Sequence, residues 1–332
     1  MTSKSSDSTN LRGWHVHKFG GTSLGDADCF RRVADILLDE PVARQAVVVS
    51  AMARTTDALL GLVAAAEQSA PDIATRIDAI ATRYQSTVLA LVKQKHGSDE
   101  ILKSFRSDLE DLRDVLRAIA LVRQAGDRSR DLIAGYGEIW SSRLLAAYLT
   151  ERARAFDRGR AVHWIDAREL IVIERGEMGP AVLWDESRVN AGRHFTQDTF
   201  GIAVITGFIA SERSGLHTTL GRNGSDFSAS IVGALLNAEK ITIWTDVDGV
   251  MSADPNRVPE AAIINALSYS EAMELAYFGA KVIHPQTMSP AVQRGIPIWI
   301  RNTFNPAAPG SLIGPDSGPS QPIKGITAVD DV

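Results

Sequence analysis

The sequence is poor in cysteine and contains no long apolar segment. Its one cysteine, Cys29, excludes a disulfide within the chain and a cysteine-built metal site. It falls in an apolar helical stretch, where a small buried side chain is expected rather than a nucleophile. No apolar run approaches the roughly 20 residues of a membrane-spanning helix. The first ten residues are polar, so no secretory signal is expected. These absences predict a cytoplasmic protein.

Positive charge is in deficit. The 35 Lys and Arg residues against 40 Asp and Glu residues give a net charge of −5. Nucleic-acid and anionic-membrane binding both need a concentrated basic surface, so neither partner is expected. The hydrophobic content of 45% and charged content of 23% are typical of a globular protein. At 332 residues the chain suffices for one large domain or two modest ones.

Strand and helix patterns alternate along the chain. Trp14–Phe19 alternates apolar and polar residues, and Ala46–Val49 is a continuous apolar run typical of a buried parallel strand. Between them, apolar residues recur at helical spacing from Phe30 to Leu37. The same criteria predict strands at 161–165, 202–206, 241–247 and 296–300, and helices over most of 71–154, after a turn at 221–226, and over 270–278. This alternation predicts a largely parallel α/β sheet with helices on both faces.

The composition changes after Leu312. Residues 314–322 are rich in Gly, Pro and Ser, which is typical of a linker. The segment Ile323–Val332 then has the pattern of a beginning strand. We therefore expect this segment to lead into a further region of protein.

The motif K-F-G-G-T-S, Lys18–Ser23, joins a predicted strand to a predicted helix. Glycines without a Cβ let backbone N–H groups approach a phosphate, and the following helix N-terminus favours negative charge. The lysine adds a point charge for a transferring phosphoryl group. Because the lysine precedes the glycines, the motif is not a P-loop. The residues alone support a phosphate site and a plain turn with an exposed lysine about equally.

A second glycine-containing turn, Thr218–Asp226, also opens a predicted helix. Arg222 can hold a carboxylate through two hydrogen bonds, and Asp226 can receive an ammonium group or hold a nearby lysine. The alternative is a simple capped helix start, because Ser225 and Asp226 are both good N-cap residues. An arginine and an aspartate flanking Asn-Gly favour a functional site.

Further candidates follow other predicted strands and glycines. Trp244–Val250 runs from a strand end into a turn, where nucleotides bind in open α/β sheets. Ser50 and Thr56 lie just beyond the second strand, and Lys281 is placed to face phosphates. Glu138 follows two glycines, although a surface glutamate is the usual outcome there. The carboxylates show no metal-ligand spacing, so a divalent ion is expected to arrive with a nucleotide.

Taken together and in this order, these motifs resemble the aspartate kinases. The resemblance covers about residues 14–314 and is greatest to the kinase part of the bifunctional aspartokinase–homoserine dehydrogenases. It rests on five segments: K-F-G-G-T-S (18–23), V-V-V-S-A-M-x-x-T-T-D (47–57), T-L-G-R-N-G-S-D (219–226), W-T-D-V-D-G-V (244–250) and F-G-A-K-V-I-H-P (278–285).

The resemblance implies the amino-acid-kinase fold, a largely parallel sheet sandwiched by helices in two lobes. It implies a disordered tail at 1–13, a kinase domain at 14–314, and at 315–332 a linker and the start of a C-terminal regulatory region. Within the domain, 14–235 would be the acceptor lobe and 236–314 the ATP lobe. The implied reaction phosphorylates the β-carboxylate of L-aspartate with ATP and Mg²⁺, the first step toward lysine, threonine and methionine. A homodimer and a fused C-terminal enzyme domain are also family expectations.

The resemblance also assigns roles by position. Lys18 and Asp226 would be catalytic, Arg222 would hold the α-carboxylate, and Glu138 with Asp226 would face the α-amino group. The acceptor pocket would contain Ser50, Thr56, Glu138, Arg222 and Ser225. The ATP site would contain Gly20, Gly21, Thr22, Ser23, Thr245, Asp246, Arg257, Lys281 and Val282. No protein side chain would bind the metal, which would come with ATP.

Two alternatives remain at this point. One is another enzyme of the same fold, acting on glutamate, N-acetylglutamate, carbamate or UMP; the pair Arg222 and Glu138 suits a free amino acid better than a nucleotide. The other is a non-catalytic amino-acid-binding subunit, against which the joint presence of Lys18, Arg222, Asp226 and Lys281 argues.

Overall fold

The computed structural model describes residues 13–155, 160–177, 179–196, 201–255, 257–277, 284–316 and 323–326. An eight-stranded sheet forms its centre, in the order β10-β12-β11-β9-β1-β2-β6-β3. Its strands are β1 (Trp14–Phe19), β2 (Arg44–Val49), β3 (Ala161–Ile165), β6 (Gly201–Thr206), β9 (Lys240–Thr245), β10 (Ala266–Ser268), β11 (Ile298–Asn302) and β12 (Ser311–Gly314). Neighbouring strands are parallel except β11 and β12. The predicted, largely parallel sheet is confirmed.

A second, four-stranded sheet was not predicted. Its order is β5-β4-β7-β8, from β4 (Val172–Gly176), β5 (Gly179–Val182), β7 (Ile209–Glu212) and β8 (His217–Thr219). Each strand has three to five residues, which is too short to establish a clear alternation of apolar and polar side chains. The helix α6 (Trp184–His194), which follows β5, was missed for a different reason: only Ser187 and Ala191 of its eleven residues are buried, so it has no apolar face at helical spacing.

The remaining helices account for most of the predicted helical segments. They are α1 (Ala27–Asp39), α2 (Thr55–Glu67), α3 (Ile73–Leu91), α4 (Lys95–Val122), α5 (Asp127–Ala155), α7 (Gly224–Leu236), α8 (Tyr269–Tyr277) and α9 (Pro285–Gln293). The long helical region predicted over 71–154 is therefore three successive helices. The central strands are buried on both faces: in β2, every residue from Gln45 to Val49 is buried. A sheet covered on both faces explains the continuous apolar run in this strand.

The helix α5 passes through the core and packs unusually closely on its neighbours. A Cβ on Gly135 would lie 2.6 Å from His217 Cε1, and one on Gly137 would lie 2.7 Å from Ala51 Cβ. Both glycines are therefore required for the close approach of the helix to β8 and to the loop after β2. This approach brings the next residue of α5, Glu138, into the interior.

Two local features differ from the sequence patterns. The N-cap positions of α2 and α7 are held by Arg54 and Asn223, both with left-handed backbone, so neither Ser225 nor Asp226 is the N-cap of α7. Residues 323–326, predicted to begin a strand, have no regular structure; the N–H of Ile326 instead donates to the carbonyl of Ser252. Residues 327–332, which complete the predicted strand, and residues 1–12 of the predicted tail lie outside the described residues. The two-lobe boundary at 235 stays a prediction, and one sheet runs continuously across it.

Candidate active site

Three of the sequence motifs meet at one edge of the central sheet. The strands β9, β1 and β2 are adjacent and parallel, so their carboxyl ends lie side by side. These ends carry the glycines after Lys18, the residue Ser50 and the residue Thr245. Ligands of open α/β sheets bind beyond this edge.

A lysine–aspartate ion pair lies at the centre of this edge. Lys18 Nζ is 2.8 Å from Asp226 Oδ1, and the two side chains are only 12% and 23% exposed. Asn223 occupies the N-cap position of α7, and Asp226 lies three residues later in the first turn, so Asp226 is not the N-cap residue. Of the two roles considered for Asp226, holding the nearby lysine is the one that the geometry shows.

Hydrogen bonds join the predicted acceptor residues. Ser50 Oγ donates to Ser225 Oγ at 2.8 Å, and Ser141 Oγ donates to the Ser50 carbonyl at 2.6 Å. Thr56 is half-buried in the first turn of α2. Arg222 is exposed and has no hydrogen bond or ion pair through its side chain with the residues that the structure describes. Its guanidinium is therefore free to bind an anion.

Glu138 is buried, contrary to the surface position that its sequence context favours. The residue is 4% exposed, and its carboxyl accepts a hydrogen bond from the Ala51 N–H and leaves Oε2 without a partner in the described part of the chain. Burial raises the pKa of the Glu138 carboxyl to about 8, because no nearby cation compensates the desolvated charge. A buried carboxyl in this state is suited to receive the ammonium group of a ligand.

On the predicted nucleotide side, Gly20 and Gly21 lie close to the backbone of neighbouring segments. The Gly20 N–H donates to the Trp244 carbonyl at 3.4 Å, and a Cβ on Gly21 would lie 3.1 Å from the Ala51 carbonyl oxygen. Thr22 is exposed beside them, whereas Ser23 is buried and its hydroxyl is 2.6 Å from that of Thr303. The Ser23 side chain therefore ties this turn to the end of β11, and a place for Ser23 in the ATP site, through its backbone, stays a prediction.

The other predicted nucleotide residues have mixed outcomes. Thr245 Oγ1 donates to exposed Asp246 Oδ1 at 3.1 Å, next to the carboxyl end of β9. Arg257 is exposed in the following loop. Lys281 and Val282 lie outside the described residues. Among the residues that are described, no three His, Cys, Asp or Glu side chains come together to hold a metal ion.

The end of β9 is held by a stack of side chains that the sequence analysis did not identify. The Trp244 ring lies between Phe19, 5.7 Å away and parallel to it, and the Arg301 guanidinium at 5.0 Å. Its Nε1–H donates to His17 Nδ1 at 3.2 Å, and burial lowers the pKa of His17, so that the ring is a neutral acceptor. The alternation of Trp14–Phe19 offered the only signal, since His17 and Phe19 share one face of β1.

Arg83 is a second residue that the sequence analysis missed. From α3 its Nη1 donates to the Ala53 carbonyl at 2.7 Å and its Nη2 to the Gly25 carbonyl at 2.8 Å. It therefore joins the loop after β1 to the loop after β2, which carry the phosphate and acceptor motifs. No sequence signal distinguishes it from the other arginines of α3.

No described helix combines the length and apolar character that crossing a bilayer requires.

Comparison with known proteins identifies related sequences and structures. The model of the amino acid kinase family matches residues 13–302. The bifunctional aspartokinase/homoserine dehydrogenase 2 of Arabidopsis thaliana is 38% identical over 330 residues, which are 96% of this chain and 35% of the relative. A bifunctional aspartokinase/homoserine dehydrogenase 1 of Zea mays is 40% identical over 305 residues, 90% of this chain and 32% of the relative. The chain thus spans about a third of the length of these curated relatives.

A solved structure has the same fold. Aspartokinase III of E. coli, in complex with aspartate and ADP, superposes with a TM-score of 0.78 at 32% identity. The match covers 90% of this chain and 64% of that structure's chain.

Proposed function

This chain belongs to the amino acid kinase family, and on that premise we propose that it transfers the γ-phosphoryl group of ATP to the β-carboxylate of L-aspartate. Its fold is the amino-acid-kinase fold that the motifs predict. The curated relatives are named aspartokinases or bifunctional enzymes containing one, and the E. coli enzyme was solved with aspartate and ADP.

The single observation that carries the proposal is the buried carboxyl of Glu138, which accepts a hydrogen bond from the N–H of Ala51, next to Ser50, and whose Oε2 has no partner in the described part of the chain. A free amino acid brings the ammonium group that such a carboxyl lacks. It also brings an α-carboxylate for exposed Arg222. A nucleotide or carbamate acceptor would leave Glu138 without a partner, which is unfavourable for a buried group.

The residues fit a transfer that needs no general base. The acceptor carboxylate is already ionised at neutral pH. Its oxygen forms a bond to the γ-phosphorus as the bond from that phosphorus to the β-phosphate oxygen breaks, and ADP leaves. Two anions must approach one another, so positive charge and alignment supply most of the acceleration. Lys18, held by Asp226, provides charge at the carboxyl edge of the sheet, and the N-terminus of α7 adds a favourable field.

Several finer statements belong to the same proposal. Gly20, Gly21, Thr22, Thr245, Asp246, Arg257, Lys281 and Val282 would line the ATP site. Mg²⁺ would enter with ATP and neutralise phosphate charge, with no protein side chain as its ligand. The product would feed the synthesis of lysine, threonine and methionine. A homodimer, a fused C-terminal enzyme and a cytoplasmic location stay predictions.

Release of ADP in a coupled assay with a panel of acceptors tests the proposal. L-Aspartate should support turnover, whereas glutamate, N-acetylglutamate, carbamate and UMP should not. Turnover with UMP or carbamate but not aspartate would refute the proposal. Aspartate binding without turnover would instead indicate the non-catalytic subunit.

Arg222→Ala should raise the aspartate KM at least about thirtyfold, because an α-carboxylate loses a bidentate partner contributing roughly 2 kcal/mol or more. The ATP KM should change little. Arg213→Ala is the matched control, since Arg213 is an exposed arginine paired only with Glu186 among the described residues. If Arg222→Ala changed only the ATP KM, Arg222 would belong to the ATP site rather than to the acceptor site.

Arg83→Met should lower kcat/KM for aspartate about five- to tenfold, because the two loops lose their common donor. Arg83→Lys, with one compact donor group, should recover part of the loss. Arg83 is exposed, so the Tm of both variants should stay close to wild type. Arg76→Met on the same helix removes an exposed pair with Asp72 and should leave the kinetics unchanged. Equal kinetic effects of Arg83→Met and Arg76→Met would exclude the positioning role.

A further inference from the structure

A cavity of about 210 Å³ lies between α2, α3 and α5. Apolar and aromatic groups form much of its lining, among them Met52, Ile80, Tyr84 and Trp140. The Tyr84 hydroxyl already donates to the Trp140 carbonyl at 3.0 Å, so Tyr84 contributes its apolar ring edge rather than a free donor to the lining. The volume is below the roughly 300–1,000 Å³ of sites for drug-sized ligands, so the occupant must be smaller.

Two exposed arginines, Arg54 and Arg83, also line this cavity. Neither has a carboxylate partner among the described residues, and the Arg54 side chain makes no hydrogen bond there. Arg83 donates only to the carbonyls of Ala53 and Gly25, which leave its positive charge uncompensated. Two unneutralised guanidinium groups beside an apolar lining favour a ligand with one anionic end and one apolar end.

The cavity shares its walls with the proposed acceptor site. Thr55 and Gly137 line it, and the next residues along the chain, Thr56 and Glu138, are two of the proposed acceptor residues. Gly137 is tightly packed: its Cα hydrogen faces Ala51 and Thr55 with no room for a Cβ. A ligand in the cavity therefore contacts both elements that position the acceptor, and its anionic end competes with two carbonyls for Arg83.

We propose that this cavity binds a small monocarboxylate with an aromatic or branched apolar body, and that its occupation weakens aspartate binding. The binding step stands on the cavity alone, whereas the effect on aspartate rests on the proposed function. The mechanism is a loss of the Arg83 hydrogen bonds that join the two site loops. Such a ligand acts by binding the loosened state better than the joined state.

Binding of 3-phenylpropionate to the whole chain tests the first step by calorimetry and by Trp fluorescence. We expect saturable binding of one molecule per chain. The neutral amide, 3-phenylpropionamide, should bind at least about tenfold more weakly than 3-phenylpropionate. The Arg54→Gln variant should likewise bind 3-phenylpropionate at least about tenfold more weakly than the wild-type protein does. Ala79→Leu places a larger side chain in the lining and should abolish binding. Ala74→Leu, an exposed alanine of the same helix that is not in the lining, is its control.

The kinetic test uses the same compound at fixed saturating ATP. 3-Phenylpropionate should raise the aspartate KM to a plateau, as expected for two sites, and Ala79→Leu should remove the effect.

A KM that rises without limit would place the compound in the acceptor site and overturn the proposal. Absence of saturable binding, or binding unaffected by both Arg54→Gln and Ala79→Leu, would overturn it as well. Binding at the cavity with an unchanged KM would refute the effect on aspartate. If the chain did not phosphorylate aspartate, the calorimetric result would still decide the binding step.

Discussion

Lys18→Ala is expected to lower kcat by at least about a hundredfold, the usual effect of removing one stabiliser of developing transition-state charge. Lys18 lies at the end of β1 with its ammonium group 2.8 Å from Asp226, and both side chains are mostly buried. A charge held in this way needs no reorganisation as the phosphoryl group moves. The ATP KM should change much less, because the glycine turn and helix N-termini still bind the nucleotide.

Steady-state kinetics with both substrates varied checks this expectation. Lys103→Ala, which removes an exposed lysine of α4, is the matched control and should retain wild-type kcat. Asp226→Asn should lower kcat by less than Lys18→Ala, since it keeps the lysine but loosens its position. A Lys18→Ala variant with near wild-type kcat would remove Lys18 from the mechanism.

The second large effect is the pH dependence of aspartate binding through Glu138. Burial raises the pKa of the Glu138 carboxyl to about 8, so the free protein holds it protonated at neutral pH. An ammonium group pairs with the ionised form, and aspartate binding must then release a proton. The aspartate KM should therefore fall as pH rises from 6 to 8, by up to about tenfold per pH unit, and level off above 8. Steady-state kinetics from pH 6 to above pH 8, with aspartate varied, measure this dependence of the aspartate KM.

Glu138→Gln should remove this slope and raise the aspartate KM at pH 8. Exposed Glu110→Gln on α4 is the control and should keep the wild-type profile. Glu138→Gln should also stabilise the protein. The folded pKa of Glu138 is above its unfolded value of about 4.5, so its contribution to the free energy of unfolding is lost as pH rises from 4.5 to 8.

Denaturant unfolding at two pH values measures this stability effect. At pH 7, Glu138→Gln should raise the free energy of unfolding by roughly 3 kcal/mol, because pH 7 lies about 2.5 units above the unfolded pKa and each unit corresponds to about 1.36 kcal/mol. At pH 5 the gain should be small. A destabilised Glu138→Gln variant with an unchanged KM profile would show that Glu138 serves packing rather than aspartate binding.

Several features of the site were predictable because they depend on short, local patterns. The glycines after Lys18 and before Ser225 mark turns where backbone must approach another group. The apolar run of β2 predicts a buried parallel strand, and parallel strands in one sheet bring their carboxyl ends together. Each of Lys18, Ser50 and Thr245 could therefore be placed at or near the carboxyl end of a strand, and the order of the strands in the sheet brings them to one edge.

Other features were not predictable, because nothing in their sequence neighbourhood records them. Glu138 has the local context of a surface residue, and it is buried only because Gly135 and Gly137 let α5 approach β8 and the loop after β2. Ser23 carries the same side chain whether it faces a nucleotide or Thr303. Arg83 is separated from Gly25 by 58 residues and from Ala53 by 30.

The amino-acid sequence by itself determined the α/β class, the family and the set of polar residues at the carboxyl ends of the strands. Those properties follow from periodicity and from ordered motifs, which are local in the chain. Only the tertiary structure decided which carboxyl is desolvated, which serine is used internally, and which arginine joins the two loops. Desolvation and hydrogen-bond partnership depend on groups distant in sequence, so they exist only after the chain has packed.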